Sequence, residues 1–368
     1  MQCGPPCDSE ADLRALVFFL CAVLSLMLSS VPAYAQDPNP REANSFRVHV
    51  AVPAGWSLWD DSRSELISSA YQQDQGDRTT PLVNIYNVVS GEQRSIDVLK
   101  EFPNARRVYI NGLADGPEGS VLLAGEVESN DGVFAGDNLL LYDNHSTLTM
   151  NLTAAGYDVS AVAMDKQRNI YLVGTHDGER SPDESYPLMV KYDSHGHITL
   201  ESLSRSLFAN IDDPTGLDGN SYPHSGTTRI AISEKSIHVY LAPVSEMIVL
   251  NQSGEIQTRV NVASRLSEFA KTKGYKDVYV EGDEFSPSGD LWIVGNLAEL
   301  SNSSADLLPA RNFVVRLTPE GQLQVPYAHV GEEPPGYYLP HLIGFTQSNE
   351  PVASVTADDS ILVQKSPY

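Results

Sequence analysis

Asp165-Lys-Gln-Arg-Asn-Ile-Tyr-Leu-Val-Gly174, followed by Tyr186-Pro-Leu-Met-Val-Lys-Tyr-Asp193, the turn Ser194-His-Gly196 and Ile198-Thr-Leu200, is the stretch whose reading decides the fold. Short apolar segments alternate with turn residues, and the spacing of three to four that marks a helix is missing, so the stretch predicts three short strands. The same grammar recurs upstream in Gly119–Gly125, Asn138–Asp143 and Thr147–Met150, and downstream in Gly289–Gly295, Phe313–Leu317 and Gly321–Leu323. Another copy runs through Ser236–Leu241, Met247–Leu250 and Gly254–Val260. Weaker copies flank these at Glu65–Tyr71, Leu82–Tyr86 and Glu92–Val98, and at Pro351–Val355 and Ile361–Val363. Self-similarity at this spacing is the signature of a repeat architecture, in which each unit is one small sheet.

A sheet of this kind cannot bury both its faces alone, whereas six packed radially bury a continuous core. Alternation such as Asn169-Ile-Tyr-Leu-Val suits strands with one face packed and the other half packed. The fold class read from the residues is therefore all-β, a six-bladed β-propeller spanning 45–368. Only Val260 to Lys273, with Val262, Leu266, Phe269 and Ala270 near helical spacing, predicts a short surface helix. The last unit lacks a final strand, while Phe46-Arg-Val-His-Val-Ala-Val52 is a strand with no unit of its own. The expectation is that Phe46–Val52 closes the ring as the outermost strand of the last blade.

The pattern Gly-x-Leu/Ile-Tyr/Trp-hydrophobic-Val-Gly, then hydrophobic-x-x-Tyr-Asp, then Gly and a final strand, resembles the NHL-type and related six-bladed propellers of bacterial exported proteins. Families with this architecture include lactonases with a central metal, lyases acting on cyclic compounds, sensor domains and plain binding modules, and the architecture does not choose among them. In the sugar lactonases the metal is held by an early Glu plus Asn and Asp residues. Glu65, just before a second strand, is a poor substitute for that Glu.

The N-terminal stretch carries an apolar run from Ala15 to Val31 and ends in Ala33-Tyr34-Ala35, which reads as a signal peptide over 1–35, with 36–44 as a short linker. Asp8, Glu10 and Asp12 against a single Arg14 depart from the usual positive flank, and an uncleaved anchor is the rival reading. An exported protein, periplasmic or extracellular, is expected. Cys3, Cys7 and Cys21 all precede the cleavage point, so the mature chain holds no thiol and no disulfide. The formal charge of −24 falls to −22 without the leader. That balance repels phosphate backbones and anionic lipid, which argues against nucleic acid and, after cleavage, against membranes as partners. A monomer with an unknown protein or small molecule as partner is the expectation, and attraction for cations or basic ligands is the sharper alternative to mere solubility.

Propeller ligands usually bind at the channel mouth where the innermost strands begin. The polar residues expected on those loops are Arg106, Arg107, Tyr157, Asp158, His176, Asp177, Glu179, Arg180, His224, Arg311, Tyr337 and Tyr338. Asp212, Asp213 and Asp218, in a turn-rich loop with Asn220, have the composition that a structural Ca²⁺ would use, without the spacing of an EF-hand. No other cofactor is indicated. His195 and His197 lie in a turn and read as solvated, and Trp56 and Trp59 read as inter-blade core. There is no Gly-x-Ser-x-Gly elbow, and the four Asn-x-Ser/Thr sequons at Asn144, Asn151, Asn251 and Asn302 carry no function in a bacterial setting. The leading functional reading is a non-enzymatic binding module. A hydrolase or lyase acting on a small sugar-like or lactone substrate is the alternative, and a detached sensor domain the third.

Overall fold

The computed structural model describes residues 45–49, 55–76, 82–154, 156–176, 186–208, 227–300, 307–327, 341–357 and 360–367. They form a six-bladed β-propeller. Blade 1 comprises Trp56–Asp60, Glu65–Ser69, Val83–Asn87 and Gln93–Ile96, from the channel outward. Blade 2 comprises Ala105–Asp115, Val121–Ser129, Phe134–Tyr142 and Leu148–Thr153, and blade 3 Tyr157–Met164, Ile170–His176, Pro187–Tyr192 and Ile198–Ser204. Blade 4 is Arg229–Ile232, Ser236–Leu241, Glu246–Asn251 and Ile256–Asn261, and blade 5 Asp277–Phe285, Leu291–Leu300, Leu307–Leu317 and Leu323–Gln324. The signal peptide and linker lie outside the described residues.

The second strands explain why the repeat reads as it does. Ile170 and Leu172 point into the cluster shared with blade 2, while Tyr171 and Val173 point into the cluster shared with blade 4. In blade 5 Leu291 and Ile293 face blade 4, and Trp292 and Val294 face blade 6. Both faces are therefore packed, where the alternation had suggested one packed and one half-packed face. Neighbouring blades sandwich each sheet, which turns the strand into a near-continuous apolar run, as in sheets covered on both sides. At about 1.5–3 kcal/mol per fully buried large side chain, such interfaces are the main favourable term. The recurring glycine has a different cause. Gly125, Gly174 and Gly295 stand opposite Ile110, Val159 and Val280, where the inner strands bulge. A Cβ there would enter the van der Waals envelope of the carbonyl oxygens of Tyr109, Asp158 and Tyr279, so the bulge requires a residue without one.

The hairpin turns are made by a polar side chain that replaces a strand partner. Asp143 Oδ1 accepts from the backbone N–H of His145 and of Thr147, both at 2.9 Å, and Asp165, Asp193 and Asn251 repeat the pattern in their own turns. The fourth residue of each turn has positive φ: Ser146, Arg168, Gly196 and Gly254. The Tyr-Asp ending of the sequence pattern is thus a strand end followed by a side-chain-capped turn.

The predicted helix forms over Val262–Thr272, with Val262, Leu266, Phe269 and Ala270 buried and Asn261 capping it by accepting from Ser264 N–H at 2.7 Å. An unforeseen strand, Gln72–Asp74, joins the inner edge of blade 2. Its residues are polar and gave no strand signal. Gln73 is nonetheless buried, donating to Asp97 Oδ1 at 3.2 Å and accepting from Leu99 N–H at 3.3 Å.

Ring closure follows the expectation over Ser45–His49, while 50–52 of the predicted strand lie outside the described residues. Blade 6 is ordered Ser45–His49, Ser360–Lys365, Pro351–Ala357, His341–Phe345, so the first strand is its outermost member. Phe46 pairs with Val363 and Val48 with Ile361, and both share a cluster with Trp59, Leu66 and Tyr86 of blade 1. Lys365 adds a second tie by donating to Asp61 of blade 1 at 2.9 Å. Removing residues through His49 should expose the edge of Ser360–Lys365 and open the interface with blade 1. The expected result is a drop in melting temperature of roughly 10 °C or more, far beyond the effect of trimming a loose terminus. An unchanged midpoint in calorimetry, with the protein still monomeric by light scattering, would refute this closure.

Candidate functional site

At the mouth where inner strands begin, the sequence candidates fall into separate groups. Arg106 and Arg107 open the inner strand of blade 2 and converge on Glu128, Arg106 Nη1 at 3.1 Å and Arg107 Nη1 at 3.8 Å. Arg107 also donates to the Tyr109 hydroxyl at 2.6 Å and to Asp74, and these bonds hold its guanidinium charged. Tyr157 is buried and donates to the carbonyl of Pro187 at 2.8 Å. The His176 ring packs against Tyr157 and Tyr186, with centroids 5.3 and 5.9 Å away. Asp158 pairs with Thr175 on the same hairpin, and Arg311 pairs with Leu297 in blade 5. Asp177, Glu179, Arg180, Asp212, Asp213, Asp218, His224, Tyr337 and Tyr338 lie outside the described residues. Glu65 is engaged structurally, with Arg63 at 3.1 Å and Arg94 at 3.5 Å. His195 and His197 are exposed in their turn, as read from the sequence.

The described residues place a large cavity at the opposite mouth, where the inner strands end. It measures about 1260 Å³, and every blade contributes to its wall: Asp60, Asp115, Met164, Arg229, Glu284 and Phe345 are representative. None of Arg106, Arg107, Tyr157, Asp158, His176 or Arg311 lines it. The register shows what is unusual about it. The last pair of the first hairpin is Met164 with Ile170 in blade 3, Ile232 with Ile237 in blade 4, Phe285 with Leu291 in blade 5 and Phe345 with Pro351 in blade 6. Blades 1 and 2 put Asp60 and Asp115 at this position. Two carboxylates thus replace the apolar residue that the repeat otherwise uses. Sequence reading missed both, although aligning the six units at their hairpin ends would have exposed them.

Arg229 forms the floor. Its Nε donates to Asp283 Oδ1 at 3.0 Å, its Nη1 lies 3.5 Å from Glu284, and its Cζ sits 5.9 Å from the ring centroid of Trp56 in blade 1, across the channel. Trp59 is inter-blade core as expected, and Trp56, half-buried at this floor, also packs against the core between blades 1 and 2. Burial works against the charge of Arg229, but Glu284 and Asp283 outweigh it and keep the guanidinium protonated. Burial pushes Asp283 up to about 6 despite Arg229 beside it. Asp115 meets cavity water yet is walled in by the ring. That enclosure, with Asp60 and then Glu284 nearby, pushes its carboxyl up to about 7. Asp137, behind the wall, is also pushed up to about 7 by burial, although it accepts from Val159 N–H and from Asn111 at 3.0 Å.

Among the described residues no three His, Cys, Asp or Glu side chains are placed to hold a metal ion. No described helix is long and apolar enough to cross a membrane. The fold and cavity define the class: a six-bladed propeller with an acidic, Arg-floored cup at the end of its inner strands. No family model matches the chain, and no curated protein sequence does. Solved structures do. A member of the DUF4221 family from Bacteroides vulgatus is 11% identical over 87% of this chain and 95% of its own, with a TM-score of 0.49. A streptogramin B lyase is 10% identical over 88% of this chain and 99% of its own, with a TM-score of 0.37. A gluconolactonase from Xanthomonas campestris is 13% identical over 88% and 94%, with a TM-score of 0.40. At these identities the likeness is one of fold.

The raised carboxyls have a consequence for stability. Asp137 near 7 and Asp283 near 6, both buried, hold protons in the folded state that the unfolded chain, at its ordinary 3.8, releases. Stability should therefore fall as pH rises from about 4 to about 7, and level off above. Calorimetry between pH 5 and 8 should show the midpoint decreasing by roughly 5 °C, and Asp137→Asn should flatten part of that slope. A midpoint that rises over this range would contradict the assignment.

Proposed function

We propose that this chain is a binding module that holds a small organic ligand in the cup at the end of its inner strands. The observation that carries the reading is the cup itself. It is larger than the 300–1,000 Å³ typical of small-molecule pockets, and it mixes apolar wall residues such as Leu113, Val162 and Ile343 with a few convergent charges. Rigid blades fix those groups, so the site is preorganised and binding need not order a loop. The resemblance of the repeat to NHL-type propellers supports the same picture of a rigid scaffold with its site on the axis. The apolar run Ala15–Val31 and the Ala33-Tyr34-Ala35 ending support a setting outside the cytoplasm.

Thermal-shift measurements with amines, monosaccharides, amino sugars and small carboxylates should find at least one class that raises the melting temperature. Leu113→Trp, which narrows the cup by placing an indole on its wall beside Asp115, should remove most of that shift while leaving the unliganded midpoint within a few degrees. No stabilisation by any class, or a shift that survives Leu113→Trp, would remove the cup as the site. Mass spectrometry of the protein expressed with its leader should find a mature N-terminus near Gln36. An intact N-terminus would favour an uncleaved anchor instead.

A further inference from the structure

We infer that the cup selects an organic cation, an amine or guanidinium head, seated between Asp60 and Asp115. This rests on the cup being the binding site and adds the chemistry of its occupant. Two independent observations lead to it.

The first is a buried carboxylate without a counter-ion. Asp60 is 5% exposed and lines the cavity, and its hydrogen bond in the structure comes from the Ser62 hydroxyl at 2.6 Å. Arg63 on the following turn feels its field, but the guanidinium of Arg63 is bonded to Glu65. Among the described residues no cationic group stands within ion-pair distance of Asp60 or Asp115. Burying a carboxylate away from water and from any counter-ion is costly, and this chain has an obvious remedy at this position, the apolar residue used in blades 3 to 6. Blade 1 departs from it with the buried Asp60, and blade 2 with Asp115, which is exposed to the cavity. Local rules broken at a cavity are where function is expected.

The second observation is the cation already present. Arg229 sits between Asp283, Glu284 and the face of Trp56, so the chain's own guanidinium shows that the floor of the cup accommodates a planar organic cation. Its charge is consumed by Asp283 and Glu284, which leaves the carboxylates of Asp60 and Asp115 for a second cation above it. Lys166 and Lys235 stand on exposed turns at the lip.

Calorimetric titration of the full chain with spermidine, agmatine and arginine methyl ester, with methyl glucoside and glutarate as neutral and anionic controls, tests this. At least one cation should bind about tenfold or more tightly than either control, and Asp60→Asn and Asp115→Asn should each weaken it by about tenfold. Asp115→Met, which installs the residue of blade 3, should raise the melting temperature and still lose the cation, so that lost binding is separated from lost folding. Glu118→Gln, an exposed carboxylate outside the cup, should change nothing and so excludes a general response to the negative surface. Cation binding that ignores Asp60, Asp115 and Leu113→Trp overturns the inference. A neutral or anionic ligand that binds, is blocked by Leu113→Trp and outcompetes every cation also overturns it, while leaving the cup as a binding site.

Discussion

Two-sided burial of the second strand is the constraint on which the whole ring depends. Blade 3 alone does not bury Tyr171, whose cluster is completed by Val239, Ile248 and other residues of blade 4, just as the cluster of Ile170 is completed by Leu139 and Leu141 of blade 2. A blade is therefore not a folding unit. Each interface has its own apolar cluster, and the cluster between blades 6 and 1 is completed by Phe46 and Val48 from the far end of the chain. Without that strand Trp59 and Leu66 would lose part of their cover, and the edge of Ser360–Lys365 would present unpaired backbone groups. Closure by the N-terminal strand is thus a packing requirement as well as a hydrogen-bonding one.

The inner strands answer to a different demand. They must bend toward the axis while keeping register with straight second strands, and a bulge in blades 2, 3, 5 and 6 does this. The bulge pushes a carbonyl toward the second strand, which is why a glycine recurs opposite it in blades 2, 3 and 5. In blades 2, 3 and 6 it also frees one residue, Asn111, Ser160 and Ile343, to line the channel. The curvature that closes the ring and the groups that line its cavity therefore have one geometric origin.

This division explains what could be read from the sequence. Second and third strands, packed on both faces, carry runs such as Ile170-Tyr-Leu-Val173 and announce themselves, as do the side-chain-capped turns after Tyr142 and Tyr192. The amphipathic spacing of Val262 to Ala270 likewise fixed the one helix foreseen. Inner strands such as Ala105–Asp115 mix arginine, asparagine and glycine with apolar residues because one flank faces water, so neither period is clean. Gln72–Asp74 was illegible for a stronger reason: its place is set by backbone pairing to Tyr109, Val108 and Arg107, and nothing in Gln-Gln-Asp signals a strand. The site was harder still. A general expectation about propeller mouths directed attention to where inner strands begin, whereas the described cavity lies where they end. The carboxylates that mark it are ordinary residues in turn-rich surroundings until their register is known.

That register gives Asp60 and Asp115 their meaning. A lone acidic residue on a loop of a chain with net charge −24 carries almost no information, because acidic residues are everywhere on its surface. The same residue at a position occupied elsewhere by Met164, Ile232, Phe285 and Phe345 is a departure with an energetic sign, since the apolar alternative is demonstrably compatible with the fold. The burial of Asp60, at 5% exposure, beside an Asp115 that is open to the cavity is the measure of that departure. Arg229 offsets the charge at the floor but is held there by Asp283 and Glu284, too committed to serve the two carboxylates of blades 1 and 2. Asp60 accepts from the Ser62 hydroxyl, but among the described residues neither carboxylate has a cationic partner, and their field points into a space bounded by rigid strands where a cation would be a better partner than water.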